Sequence, residues 1–188
     1  MKSPTKIIIT VDSKFTEELD FNGGKIYLDP TYRPEHNAIP YGWVHAVPLR
    51  NPNIQEDFVY NVEVGDKLYV NYGVIVDDSN IIDLNGKDYH LVDYFFALAT
   101  VRDGNIYPVG EHILIEPIEE EVKNEFLIIP EMSRKKIGNV GRVFASNDPE
   151  IPNGALVAFE ENGKFENIIE GRKLFVMYNS NIQYVIKE

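Results

Sequence analysis

Apolar residues along this chain recur at every second position or in short runs, and glycine, proline, asparagine and aspartate fill the gaps between them. Such alternation predicts β-strands, because successive side chains on a strand point to opposite faces. The first half offers strands at 6–11, 25–28, 42–48, 67–71, 74–76, 87–92 and 96–102. A second series falls at 112–116, 127–130, 141–146, 155–160, 173–178 and 182–187. No stretch sustains the three-and-four spacing of an amphipathic helix. The predicted fold class is therefore all-β with very little helix.

The two series match in order and spacing. Lys6-Ile7-Ile8-Ile9 corresponds to His112-Ile113-Leu114-Ile115, and each is followed by an acidic stretch. A short aliphatic run ending in proline comes next, Ile26-Tyr27-Leu28-Asp29-Pro30 in one half and Leu127-Ile128-Ile129-Pro130 in the other. Gly42-Trp43-Val44-His45-Ala46 then matches Gly141-Arg142-Val143-Phe144-Ala145. Near the ends, 85–92 matches 170–177 and 97–101 matches 182–186. Self-similarity of this kind predicts two copies of one small structural unit. The turn signal Asp103-Gly104-Asn105 places the boundary there, giving domains 1–103 and 104–188.

Composition narrows the function classes. The 188 residues carry a net charge of −12, which disfavours nucleic acid or an anionic membrane as partner, since phosphate contacts need clustered lysine and arginine. The absence of cysteine removes disulfides, thiolate nucleophiles and cysteine metal sites, and fits a reducing cytoplasm. The apolar run Ile7-Ile8-Ile9 is far too short for a membrane span. A soluble, cytoplasmic protein is expected.

Catalytic chemistry is thinly provided. His36, His45, His90 and His112 lack metal-ligand spacing, and the last three fall on predicted strands. Asp77-Asp78 and Glu119-Glu120-Glu121 are acidic runs on predicted turns, best read as solvated. Neighbouring carboxylates of that kind are not the facing pair that acid–base chemistry needs. No glycine-rich phosphate loop or nucleophile elbow is present. The expectation is a non-enzyme without catalytic residues, metal or cofactor.

Each copy resembles the GroES co-chaperonin family. Val62-Glu63-Val64-Gly65-Asp66 followed by Lys67-Leu68-Tyr69-Val70 is similar to that family's Gly-Asp turn and the strand after it. Gly23-Gly24 followed by Ile26-Tyr27-Leu28 resembles its mobile loop, with Lys25 as one extra residue. In the second copy Leu127-Ile128-Ile129 resembles the same loop without paired glycines, and Ile151-Pro152-Asn153-Gly154 resembles the turn. The tandem arrangement is similar to the double-domain co-chaperonins of plastids. The resemblance implies two tandem GroES-like β-barrels and a homo-oligomer that caps a GroEL-type chaperonin ring, with ATP bound by the partner. It also implies contact residues: Gly23, Gly24, Ile26, Tyr27, Leu28, Leu127, Ile128 and Ile129.

A second reading takes those aliphatic triplets as buried strands, in a divergent structural or adaptor protein that keeps the fold and has lost chaperonin binding. Trp43 and Tyr94-Phe95-Phe96 raise the same question of core against interface. Three consecutive aromatics cannot all face one core, so at least one is expected at a contact with the other copy or a neighbouring chain.

Overall fold

The computed structural model describes residues 3–16, 18–21, 24–27, 38–49, 61–118 and 139–186. The predicted strand at 127–130 lies outside them. The chain separates into two compact units, Met1–Gly110 and Glu111–Glu188.

In the first unit the strands are β1 (Ile7–Thr10), β2 (Glu18–Phe21), β3 (Gly24–Tyr27), β4 (Tyr41–Ala46), β5 (Lys67–Val70), β6 (Ile81–Leu84), β7 (Lys87–Val92), β8 (Ala97–Arg102) and β9 (Asn105–Pro108). A short helix, α1 (Tyr72–Val76), follows β5. Seven strands form one antiparallel sheet in the order β6-β7-β1-β4-β5-β8-β9, and β2 and β3 form a separate two-stranded sheet.

The second unit contains β10 (His112–Pro117), β11 (Val140–Ser146), β12 (Leu156–Phe159), β13 (Phe165–Ile169), β14 (Arg172–Tyr178) and β15 (Ile182–Ile186). Their order is β13-β14-β10-β11-β12-β15. Replacing each strand by its sequence counterpart turns this order into that of the first unit, less β9. Both units are β-rich, but neither sheet closes among the described residues. The barrels implied by the resemblance are, to that extent, two open sheets.

Agreement between the units extends to their irregularities. Register shifts between Ile8 and Ile9 where β1 meets β4, and between Leu114 and Ile115 where β10 meets β11. A second shift lies between Tyr69 and Val70 on β5, and between Ala158 and Phe159 on β12. Each bulge adds local twist, which bends the sheet over its own apolar face. That face buries Ile7, Ile9, Val44, Leu68, Val70 and Val92 in the first unit. In the second it buries Ile113, Ile115, Val143, Val157, Phe159 and Met177.

Close approach fixes one glycine in each unit. A Cβ on Gly42 would sit 2.6 Å from the Thr10 carbonyl oxygen, and one on Gly141 would sit 2.8 Å from the Glu116 carbonyl oxygen. The hairpins β6–β7 and β13–β14 turn through Asn85-Gly86 and Glu170-Gly171, all with φ between 48° and 76°. Two successive positive φ values match the twist of the flanking strands, which is why glycine follows in both turns.

Several elements differ from expectation. The β-branched run at 74–76, predicted as a strand, belongs to α1. Asn71 caps its start by accepting from the Gly73 amide at 3.0 Å, and Val74 and Ile75 are buried in the core. Tertiary burial here outweighs the strand preference of Val-Ile-Val. Strands β2, β6, β9 and β13 were not predicted. Residues 105–108, read from sequence as the head of the second copy, form β9 and pair with β8.

Candidate partner-binding site

Between β1 and β4 the first unit makes a long excursion. Its base is gripped by an antiparallel bridge between Phe15 and Ala38 and by the Ile39 amide donating to the Lys14 carbonyl at 3.0 Å. Among the described residues β2 and β3 pair only with each other, with Glu18 opposite Tyr27, Leu19 opposite Ile26 and Phe21 opposite Gly24. Tyr27 is 75% exposed, and Gly24 and Lys25 are exposed beside it. Gly24, Ile26 and Tyr27 therefore stand on a strand paired with β2, within the segment that the resemblance implied as a mobile loop. A signal for it was present: Asn22-Gly23 between alternating residues is a strong two-residue hairpin sequence.

The remaining candidates, Gly23, Leu28, Leu127, Ile128 and Ile129, lie outside the described residues. In the second unit β10 and β11 pair as β1 and β4 do.

An isolated two-stranded hairpin is only marginally stable in water. One that pairs with no other strand and displays a tyrosine can re-form on a partner surface. Burying Tyr27 there would contribute roughly 1.5–3 kcal/mol before ordering costs.

Around the Gly-Asp turn sits an ionic clasp that sequence reasoning missed. Asp66 is 3% exposed, and its two carboxylate oxygens accept from Arg102 Nε at 2.8 Å and Nη2 at 2.7 Å. Asp66 also accepts from the Glu63 amide at 2.8 Å, while Arg102 reaches Glu63 Oε1 at 2.5 Å and the Asn61 carbonyl at 3.2 Å. Asn61 in turn donates to the Pro108 carbonyl. Burial alone would raise the Asp66 carboxyl, but the Arg102 guanidinium and the Glu63 amide outweigh it and hold the pKa below the ordinary range. The clasp ties the turn before β5 to β8 and β9.

The histidines do not converge. His45 Nε2 meets Thr10 Oγ1 at 3.0 Å, His112 stacks on Tyr178 at 4.5 Å, and His90 is buried on β7. His36 and the run 119–121 lie outside the described residues. Asp77 caps the 3-10 turn Asp78–Asn80 through the Ser79 amide, and Asp78 pairs with Lys14 at 2.7 Å. Among the described residues no group of three His, Asp or Glu side chains could hold a metal ion. Among them, too, no helix is long and apolar enough to cross a membrane.

The predicted aromatic cluster divides as its crowding required. Tyr94 joins the core, whereas Phe95 and Phe96 on the same 3-10 turn are exposed. Comparison with known protein families and with curated proteins yields no match.

Proposed function

We propose that this protein is a co-chaperonin-like cap: a cytoplasmic, non-catalytic homo-oligomer that docks on a GroEL-type chaperonin ring. The contacts are the apolar segments 26–28 and 127–129, and the partner binds and hydrolyses the ATP. The observation that carries this reading is the β2–β3 pair, which among the described residues is joined to no strand of the main sheet and exposes Tyr27. The doubled strand order supports it as well, since two copies of a weak site gain avidity while each still releases. The GroES-like barrel belongs to the same reading, with the open sheets completed on assembly.

Subunit association has its own support. β15 lies at a sheet edge, bears exposed Tyr184, Val185 and Ile186, and has no strand on its outer side among the described residues. Its counterpart β8 is covered along that side by β9. An exposed apolar edge is a template for pairing with another chain.

Co-sedimentation with a chaperonin ring, with and without ATP, tests the function. The intact protein should bind only with nucleotide, and binding should protect 20–34 and 123–135 from proteolysis. Tyr27→Ser should weaken the first unit's site about tenfold or more, the equivalent of roughly 1.5–3 kcal/mol, and leave the second unit's site unchanged. Nucleotide-independent or absent association would leave the adaptor reading in its place. Native mass measurement in the same mixture counts the subunits.

A further inference from the structure

Superposing the two repeats by their pairing sets His90 against Phe175. Ile9 stands opposite His90 across β1 and β7, and Ile115 stands opposite Phe175 across β10 and β14. Phe175 is a core residue of the second unit, in edge-to-face contact with Phe159 at 5.9 Å. In the first unit the same inward position holds an imidazole that is only 3% exposed. Neither of its ring nitrogens makes a hydrogen bond of normal geometry among the described residues, and only the Ile75 carbonyl of α1 offers the ring weak polar support. A buried polar group left unsatisfied costs about 1–3 kcal/mol, and a buried unpaired charge costs more. A histidine in a phenylalanine's place is therefore an expensive substitution for packing alone.

The cover over this position also differs between the repeats. In the first unit β7 carries α1 and the 3-10 turn Asp78–Asn80 packed against it. No helix stands between β12 and β13 except the single 3-10 turn Glu161–Gly163. The covering segment is light: a five-residue helix with two buried residues, then a turn with none. Its charged tether is the Lys14–Asp78 pair, whose side chains are 35% and 85% exposed. Such an exposed pair holds weakly.

We propose that His90 is a proton-operated latch: proton uptake drives the ring out of the core and releases α1 and the turn after it from β7. The neutral ring fits the apolar site, whereas an imidazolium there would be stripped of water with only the solvent-exposed carboxylates of Asp78 and Asp88 to offset its charge. Burial pushes its pKa below the ordinary 6.5, and Lys14 adds to that. The Ile75 carbonyl, Asp88 and Asp78 act in the opposite sense and are outweighed. Of the elements packed around the ring, β1 carries no titratable residue, α1 carries only Tyr72, the 3-10 turn carries Asp78 in its pair with Lys14, and β6 carries Asp83, which stands opposite Asp88. The sign follows. A base whose folded pKa is depressed leaves stability unchanged above 6.5, then removes it as pH falls from 6.5 towards the folded value. Opening coupled to one proton grows about tenfold per pH unit in that window.

Hydrogen exchange of the full-length protein between pH 7.5 and 5.5 tests the latch. Protection factors for residues 71–82 should fall about tenfold per pH unit below 6.5, while those of β10 and β14 hold. His90→Phe, which installs the second unit's residue, should abolish the pH dependence. Imidazole NMR titration of the wild-type protein provides a readout that needs no variant, and should place His90 below 6.5. Three results would each overturn the proposal: His90 titrating at or above 6.5, His90→Phe keeping the same pH dependence, or protection falling evenly across the first unit.

Discussion

The two units of this protein share a strand order, two β-bulges, an inward glycine and a positive-φ turn before the third sheet strand, yet they differ in the side-chain contacts built on that frame. The Gly65 and Gly154 amides donate to the carbonyls of Val44 and Val143, and the Val44 and Val143 amides return the bond to Asp66 and Ala155. The backbone frame is thus the same. At the position after that glycine, the first unit holds the Asp66–Arg102 clasp and the second holds alanine. Where Lys6 pairs with Asp93 at 2.5 Å, the second unit stacks His112 on Tyr178. Backbone geometry set by bulges and glycines tolerates such exchange, because the sheet ladder needs only its amides and carbonyls.

The largest effect expected from breaking this comparison is at the clasp. Asp66→Ala gives the first unit the second unit's residue but leaves the Arg102 guanidinium without its buried partner. That should cost the first unit about 3 kcal/mol, at the low end for a buried pair because Arg102 is partly exposed. Urea unfolding followed by the single tryptophan, Trp43 on β4, reports this unit alone. The change should be absent from the second unit's transition. Equal shifts in both would show that the units do not unfold separately.

Gly42→Ala and Gly141→Ala come next. Each would push a methyl group into a carbonyl oxygen, at a cost of about 2 kcal/mol. The first should shift the tryptophan transition, the second only the far-ultraviolet signal. Matching costs would confirm that the two glycines answer the same steric demand, and unequal ones would separate them.

Acid sharpens the contrast further. The Asp66 carboxyl is depressed below its ordinary 3.8, so its contribution is complete above that value and disappears as pH falls through the folded pKa. The first unit should show an acid-linked loss of stability below pH 3.8 that Asp66→Asn removes. The smallest effect lies in the hairpin turns. Glu170 holds φ 48° where the first unit uses Asn85 at 59°, and asparagine bears that conformation better than glutamate. Glu170→Asn should stabilise the second unit by about 0.5 kcal/mol, read from its urea midpoint.

Much of the sheet was legible in the sequence because period-two alternation is local. Trp43, Val44, His45 and Ala46 alternate between exposed and buried as their pattern requires. Strands β6 and β13 escaped because they are short and carry exposed apolar residues, Leu84 on one and Phe165 and Ile168 on the other, which blur the alternation. The site was less legible. Tyr27 was singled out by resemblance, but nothing in the run Ile26-Tyr27-Leu28 says that β3 pairs with β2 and, among the described residues, with no strand of the main sheet.

The order of apolar and turn residues along the chain determined that it is β-rich, that its pattern occurs twice, and where most strands lie. Those properties follow from short-range rules about side-chain direction and backbone sterics. Only the tertiary structure decided that residues 105–108 complete the first sheet, that Tyr72–Val76 coils into a helix over the core, and that His90 stands where its counterpart is Phe175. Each of those outcomes depends on which distant segment supplies the partner or the cover, and burial by a distant segment leaves no mark on the neighbouring letters.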